Sequence, residues 1–167
     1  MAVSRTLIKA TGLRGIPSNE CMQTVNNMLC DESVDSMFVT VFYGVFNILT
    51  GEIDFCNAGH NAPYILHADG RVEAVEADIN LVLGALEGIP YKRNRMTLQS
   101  GDTLVMYTDG VTEAMNERQQ QYGTGRMLEE LNSLKDSDQQ TVLRGLLCDI
   151  RNYAGTTEQF DDITMLG

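Results

Sequence analysis

Basic side chains are scarce in this sequence: 12 lysines and arginines stand against 23 aspartates and glutamates, a net charge of −11. That deficit argues against general nucleic-acid binding or attachment to an anionic membrane, because a phosphate surface would repel the chain before contact formed. Cysteine is present but not in any metal-binding pattern. Cys21, Cys30, Cys56 and Cys148 fall at no metal-ligand spacing and make no C-x-x-C pair; three of the four lie among apolar neighbours, so reduced core thiols are expected. There is no signal peptide, nothing resembling a transmembrane span, no internal repeat, no low-complexity tract and no long linker. The chain therefore reads as cytoplasmic, and as one domain with one core over residues 1–167.

What remains is ordinary globular material, 43% apolar and 21% charged. Val3, Leu7, Ile8 and Ala10 recur at helical spacing up to the breakers Gly12, Gly15 and Pro17, and Ser18 is a natural cap for a second helix through Met22, Val25 and Leu29. The β-branched and aromatic run Met37 to Ile48 predicts a strand, returned by Glu52 to Asn57 after the Thr50-Gly51 turn. Further strands are expected at Ala62 to His67 and Arg71 to Val75, joined across Asp69-Gly70, then at Thr97-Leu98 and Thr103 to Thr108, the last a strand covered on both faces. Arg126 to Leu134 and Gln139 to Tyr153 read as amphipathic helices, and Asp162 to Leu166 as a closing strand. Strands with tight turns and helices gathered at the ends give an α+β class with an antiparallel sheet.

Two acidic motifs place a carboxylate at the edge of a strand. In Leu104-Val105-Met106-Tyr107-Thr108-Asp109-Gly110 the strand ends in Asp-Gly, the glycine allowing close approach, and Glu113 follows near enough to turn back toward the same cavity. In Phe160-Asp161-Asp162-Ile163-Thr164 a carboxylate pair precedes the terminal strand. Alone, the first is a common turn and the second a solvated cap. A third motif, Asn57-Ala58-Gly59-His60-Asn61-Ala62-Pro63-Tyr64, sits between strands. Its histidine is open to three readings: metal ligand, acid/base group or, by default, structural residue. His60 is expected to be well packed and bonded through a ring nitrogen; His67, at a strand end, is expected to be solvated and dispensable.

Taken in order and spacing, NAGHNAPYI, GDTLVMYTDGVTEAMN and FDDITML resemble the stage-II-sporulation-E-type branch of the PPM (PP2C-like) phosphatases, across essentially all 167 residues. The resemblance implies a PP2C-like antiparallel β-sandwich flanked by helices, and two Mn²⁺ or Mg²⁺ ions whose water attacks a phosphoserine or phosphothreonine. It implies Asp109 and Asp161 as ligands of the metal pair, with carboxylates converging on one cavity. Gly110 follows the first ligand. Asp162 stands where eukaryotic relatives have asparagine and so would support the ligands without binding the metals. Glu113 falls where relatives carry an acidic residue of a weaker third metal site, and His60 falls where those relatives carry an aspartate. No protein nucleophile is needed, in keeping with the lack of any Ser/His/Asp or Cys/His arrangement.

The same resemblance implies an upstream Gly-Asp…Asp segment bridging the metals and an Asp-x-x-Gly-His-Gly element, and neither occurs here. The chain is thus expected to be the C-terminal two-thirds of a phosphatase domain, N-terminally incomplete and weak or inactive alone, with open strand edges that favour a homodimer. A fragment or a misplaced start is favoured over a degenerate natural form. The expected partner is a phosphoserine-containing regulatory protein of the anti-sigma-factor-antagonist type. The alternatives are a non-catalytic binding module that keeps the partner-recognition surface, and an acidic oligomerisation domain, the latter disfavoured by the three motifs.

Overall fold

The computed structural model describes residues 2–32, 38–78, 80–157, 159 and 161–167. In chain order the elements are α1 (Ala2–Gly12), α2 (Ser18–Glu32), β1 (Val41–Phe46), β2 (Glu52–Ala58), β3 (Tyr64–Leu66), β4 (Val72–Ala74), β5 (Asn94–Thr97), β6 (Thr103–Tyr107), α3 (Asp109–Thr112), α4 (Gly123–Ser133), α5 (Gln139–Ala154) and β7 (Met165–Leu166). They fall into two compact units, Met1–His60 with Glu76–Thr97, and Asn61–Val75 with Leu98–Gly167.

The first unit packs α1 and α2 on an antiparallel sheet of order β1-β2-β5. Cys21, Met22 and Val25 form one face of α2 and are buried with Cys56 and Ala58 of β2, Leu83 and Tyr91. Each large side chain so buried contributes about 1.5–3 kcal/mol. One turn after Met22 the same face carries Asn26, fully buried. A buried carboxamide is tolerable only when bonded, and this one is: it accepts from the Gly84 N–H at 2.9 Å and the Tyr91 hydroxyl at 3.2 Å and donates to the Leu86 carbonyl at 2.9 Å. Asn26 thereby holds the 84–86 loop on the helix. The start of α2 is tied to the sheet by Asp54, which accepts from the Ser18 hydroxyl at 2.8 Å and from two nitrogens of Arg93 at 2.7 and 2.8 Å.

The second unit has the antiparallel sheet order β4-β3-β6-β7. Tyr64, Leu66, Val105 and Tyr107 from the sheet share a core with Val111, Met127, Leu131, Val142, Leu146 and Ile150. The i, i+4 spacing of Met127 with Leu131, and of Val142, Leu146 and Ile150, lines one face each of α4 and α5. Asp138 caps α5 by accepting the Thr141 N–H at 3.0 Å.

Helices and antiparallel sheets appear in the expected order, and the α+β class holds. Several details differ. The first strand spans Val41–Phe46, shorter than the run that suggested it, and Met37 lies outside the described residues. Burial in β6 alternates, with Val105 and Tyr107 inward and Leu104 and Met106 half-buried, so that strand is not sealed on both faces. A helical turn, α3, follows β6 directly. Of the cysteines, Cys21 and Cys56 are buried, Cys30 is half-buried and Cys148 exposed, all as free thiols. Among the described residues no helix is long and apolar enough to cross a membrane.

His67 is not the solvated side chain that its place at a strand end suggests. Its side chain is only 16% exposed and sits between two carboxylates, Nδ1 at 3.3 Å from Asp102 and Nε2 at 3.2 Å from Glu73. Asp102, 3% exposed, also accepts the N–H groups of Ala68 at 2.9 Å and Gln99 at 2.9 Å, joining the β3–β4 hairpin to the turn before β6. Burial alone would raise the Asp102 carboxyl, but the two N–H donors and His67 outweigh it and hold it below the ordinary aspartate range. A depressed pKa means stability that is present above the unfolded-state value and lost as pH falls through the lower folded value. Asp102→Asn should therefore lower stability in urea by about 1–3 kcal/mol at neutral pH, the difference from wild type shrinking below about pH 4. A variant as stable as wild type at pH 7 would remove Asp102 as the tie.

Candidate active site

The two acidic motifs meet within the second unit. β6 and β7 pair with Tyr107 opposite Met165, and one step further the chain departs from the ladder. The Thr108 N–H still donates to the Thr164 carbonyl at 3.0 Å. The Thr108 carbonyl, however, turns to accept the Val111 N–H at 3.0 Å, beginning α3. The Thr164 N–H goes instead to the Thr108 hydroxyl at 3.1 Å, and that hydroxyl donates to the Asp162 carbonyl at 2.9 Å.

Gly110 closes the contact. A Cβ at this position would lie 2.5 Å from the Asp162 carbonyl oxygen, 2.9 Å from its carbon and 3.3 Å from the Asp161 carbonyl oxygen. These are backbone atoms, which cannot swing aside, so a side chain larger than hydrogen would push the two turns apart. Asp109 opens α3 and Asp161 opens the second turn, both exposed. Each binds locally: Asp109 Oδ1 accepts the Gly110 N–H at 3.1 Å, and Asp161 Oδ1 accepts the Asp162 N–H at 2.7 Å. Asp162 is exposed too, and the contact it makes with the first motif is through its carbonyl. Glu113, exposed, closes α3 with its N–H on the Asp109 carbonyl at 2.8 Å.

Beyond Glu113 the 114–122 loop is fastened to α5. The Tyr122 hydroxyl donates to Asp149 at 2.6 Å, and the Tyr153 hydroxyl lies 3.1 and 3.0 Å from the carbonyls of Gln120 and Gln121. Directly before Thr108, burial pushes the Tyr107 phenol up to about 12, keeping it neutral.

His60 belongs to the first unit. Asn57 brackets it, accepting the His60 N–H at 2.8 Å and donating to its carbonyl at 2.9 Å. Gly59 has φ +76°, and a Cβ there would lie 2.5 Å from Val82 Cγ1. Asn80 donates to the Asn57 carbonyl at 3.0 Å. His60 also borders a cavity of about 800 Å³ lined by Arg5, Ile8, Lys9, Val41 and Tyr43.

Carboxylate oxygens on exposed turns suit a hard divalent ion in kind. In number they fall short: among the described residues no group of three or more His, Cys, Asp or Glu side chains is gathered to hold one. Asp109 and Asp161 stand on neighbouring exposed turns, and two carboxylates alone would leave most positions around such an ion unfilled.

Comparison with known proteins agrees with this architecture. The chain is 28% identical over 146 residues to protein IcfG of Synechocystis, covering 87% of this chain and 23% of that protein. It is 33% identical over 105 residues to the phosphoserine phosphatase RsbU of Bacillus subtilis, covering 62% of this chain and 31% of that one. It therefore spans a third or less of these curated relatives. Among solved structures, the SiaA-PP2C domain of Pseudomonas aeruginosa superposes with a TM-score of 0.82 at 16% identity, over 98% of this chain and 66% of that one. The PP2C phosphatase domain of SpoIIE from Bacillus subtilis does so at 0.77 and 20% identity, over 97% and 47%. These likenesses establish the PP2C-like fold. The model of the Stage II sporulation protein E (SpoIIE) family matches residues 1–167, and the chain belongs to that family.

Proposed function

We propose that this chain is the phosphatase module of a protein that hydrolyses phosphoserine on a regulatory protein of the anti-sigma-factor-antagonist type, with Mn²⁺ or Mg²⁺ as cofactor. The observation that carries it is the backbone clamp of Gly110 against the Asp161–Asp162 turn, which unites two acidic motifs 52 positions apart. Phosphoserine as substrate is supported by the name of the RsbU relative. When bound, a divalent ion would screen phosphoryl oxygens and acidify a water. This chain's own part is to present Asp109 and Asp161 from fixed turns. Asp162 serves through its backbone, Glu113 is read as a residue of a weaker third metal site, and His60 stands where relatives of the family carry an aspartate. The remaining ligands would come from the upstream Gly-Asp…Asp segment of the family.

A second reading is a non-catalytic module that binds the same partner; what favours it is that the Gly-Asp…Asp motif of the family does not occur in this sequence. One experiment separates the two. Hydrolysis of a phosphoserine protein with Mn²⁺ is compared between this chain and a version fused to the family's upstream segment. Activity is expected only in the fused protein, and there Asp109→Asn and Asp161→Asn should each lower the rate by more than about 100-fold, beyond the loss typical of outer-shell changes. No hydrolysis by the fused protein would favour the binding module; equal rates would show that the upstream carboxylate is unnecessary.

The clamp has its own test. Gly110→Ala should destabilise the chain by about 1–3 kcal/mol in urea and abolish activity of the fused protein, whereas Gly125→Ala, where an added Cβ meets nothing within 4 Å, should do neither. The homodimer belongs to the same proposal. β1 ends its sheet and carries no charge or proline, the kind of edge that pairs with another chain. Sedimentation should show self-association that Val45→Lys, at a half-exposed edge position, abolishes.

A further inference from the structure

A threonine at a helix N-cap ordinarily turns its hydroxyl onto an N–H of the first turn. Thr108 holds the N-cap position of α3 and makes no such bond. Its hydroxyl reaches across to a segment 54–56 positions away, donating to the Asp162 carbonyl at 2.9 Å and accepting the Thr164 N–H at 3.1 Å. The reason lies in the backbone. In an antiparallel pair the Thr108 carbonyl would receive the Thr164 N–H, but α3 has claimed that carbonyl for Val111. Left there, Thr164 would have a donor and Asp162 an acceptor without protein partners. A single hydroxyl, one donor with two acceptor lone pairs, serves both.

We infer that the Thr108 hydroxyl is a positioning group that ties the Asp161–Asp162 turn to Asp109–Gly110 and so sets the two acidic turns for one shared divalent cation. The second half of this rests on the metal-dependent reading above; the first half does not. Valine has the shape of threonine without the hydroxyl, and serine has the hydroxyl without the methyl. A role in packing alone is served by valine, and a role in the hydrogen-bonded tie only by serine.

The test compares the wild-type chain with Thr108→Val and Thr108→Ser by NMR, first without metal and then during titration with Mn²⁺ alone. Without metal, the Thr164 amide of Thr108→Val should exchange with deuterated water about tenfold faster than in wild type, as expected for one lost hydrogen bond, while Val105 and Leu131 amides keep their rates and Thr108→Ser restores the slow exchange. The titration uses the same three proteins fused to the family's upstream segment, as in the activity comparison above. Mn²⁺ should broaden the Gly110 and Asp162 signals together in the wild-type and serine proteins, and Thr108→Val should need about tenfold more metal for the same broadening. Should the valine chain not fold, Thr108→Ala takes its place. Unchanged Thr164 exchange overturns the tie whatever the metal does. A valine chain that titrates like wild type, when wild type binds, overturns only the role toward the cation. Wild type that shows no broadening at either turn overturns that role together with the metal-dependent reading.

Discussion

The contact of two backbones at Gly110 constrains everything around it. Two peptide segments carrying acidic side chains meet with no room for a methyl group between them. Such an approach is favourable only if the polar atoms it brings together are matched, because a carbonyl or N–H left unpaired against another segment costs about 1–3 kcal/mol. The hydroxyl of Thr108 supplies that match on the Asp162 side. The short helix α3 supplies it on the other, directing the Thr108 and Asp109 carbonyls to Val111 and Glu113. Core packing then fixes the frame from beneath: Val105 and Tyr107 anchor β6, and Val111 pins α3 into the same cluster as α4 and α5.

The first unit follows a related logic with different residues. Its irregular segments are held by asparagine side chains, which can donate and accept at once. Asn26 secures the 84–86 loop from a buried helix face, Asn57 brackets His60, and Asn80 binds both the Asn57 carbonyl and the Lys92 N–H. Loops carrying their own hydrogen-bond partners need less apolar burial to stay ordered, and the cost is intolerance of substitution at those three amides.

Much of this was legible from residue patterns. The hairpin at Asp69-Gly70, the amphipathic faces of α4 and α5 and the α+β class follow from periodicity and turn chemistry, which are local. Family resemblance named Asp109, Gly110 and Asp161. The rest depends on contacts that no local pattern encodes. Thr108 looks like the last β-branched residue of a strand, and nothing nearby says that its hydroxyl answers to Asp162 and Thr164. His67 looks like a solvated strand end because Asp102, 35 positions later, is invisible to periodicity. The alternating burial of β6 was missed because an apolar run reads alike whether one face is covered or both.

β7 is two residues long and meets β6 through two residue pairs. A ladder that brief adds little to global stability, and its opening is a local event of low free energy compared with loss of the helix-backed core. The second acidic turn is therefore held by the Thr108 hydroxyl and the Gly110 contact more than by its ladder. Its tightness can be tuned by a single hydroxyl without changing the melting of the rest, so adaptation at the turn and adaptation of the core proceed along separate coordinates.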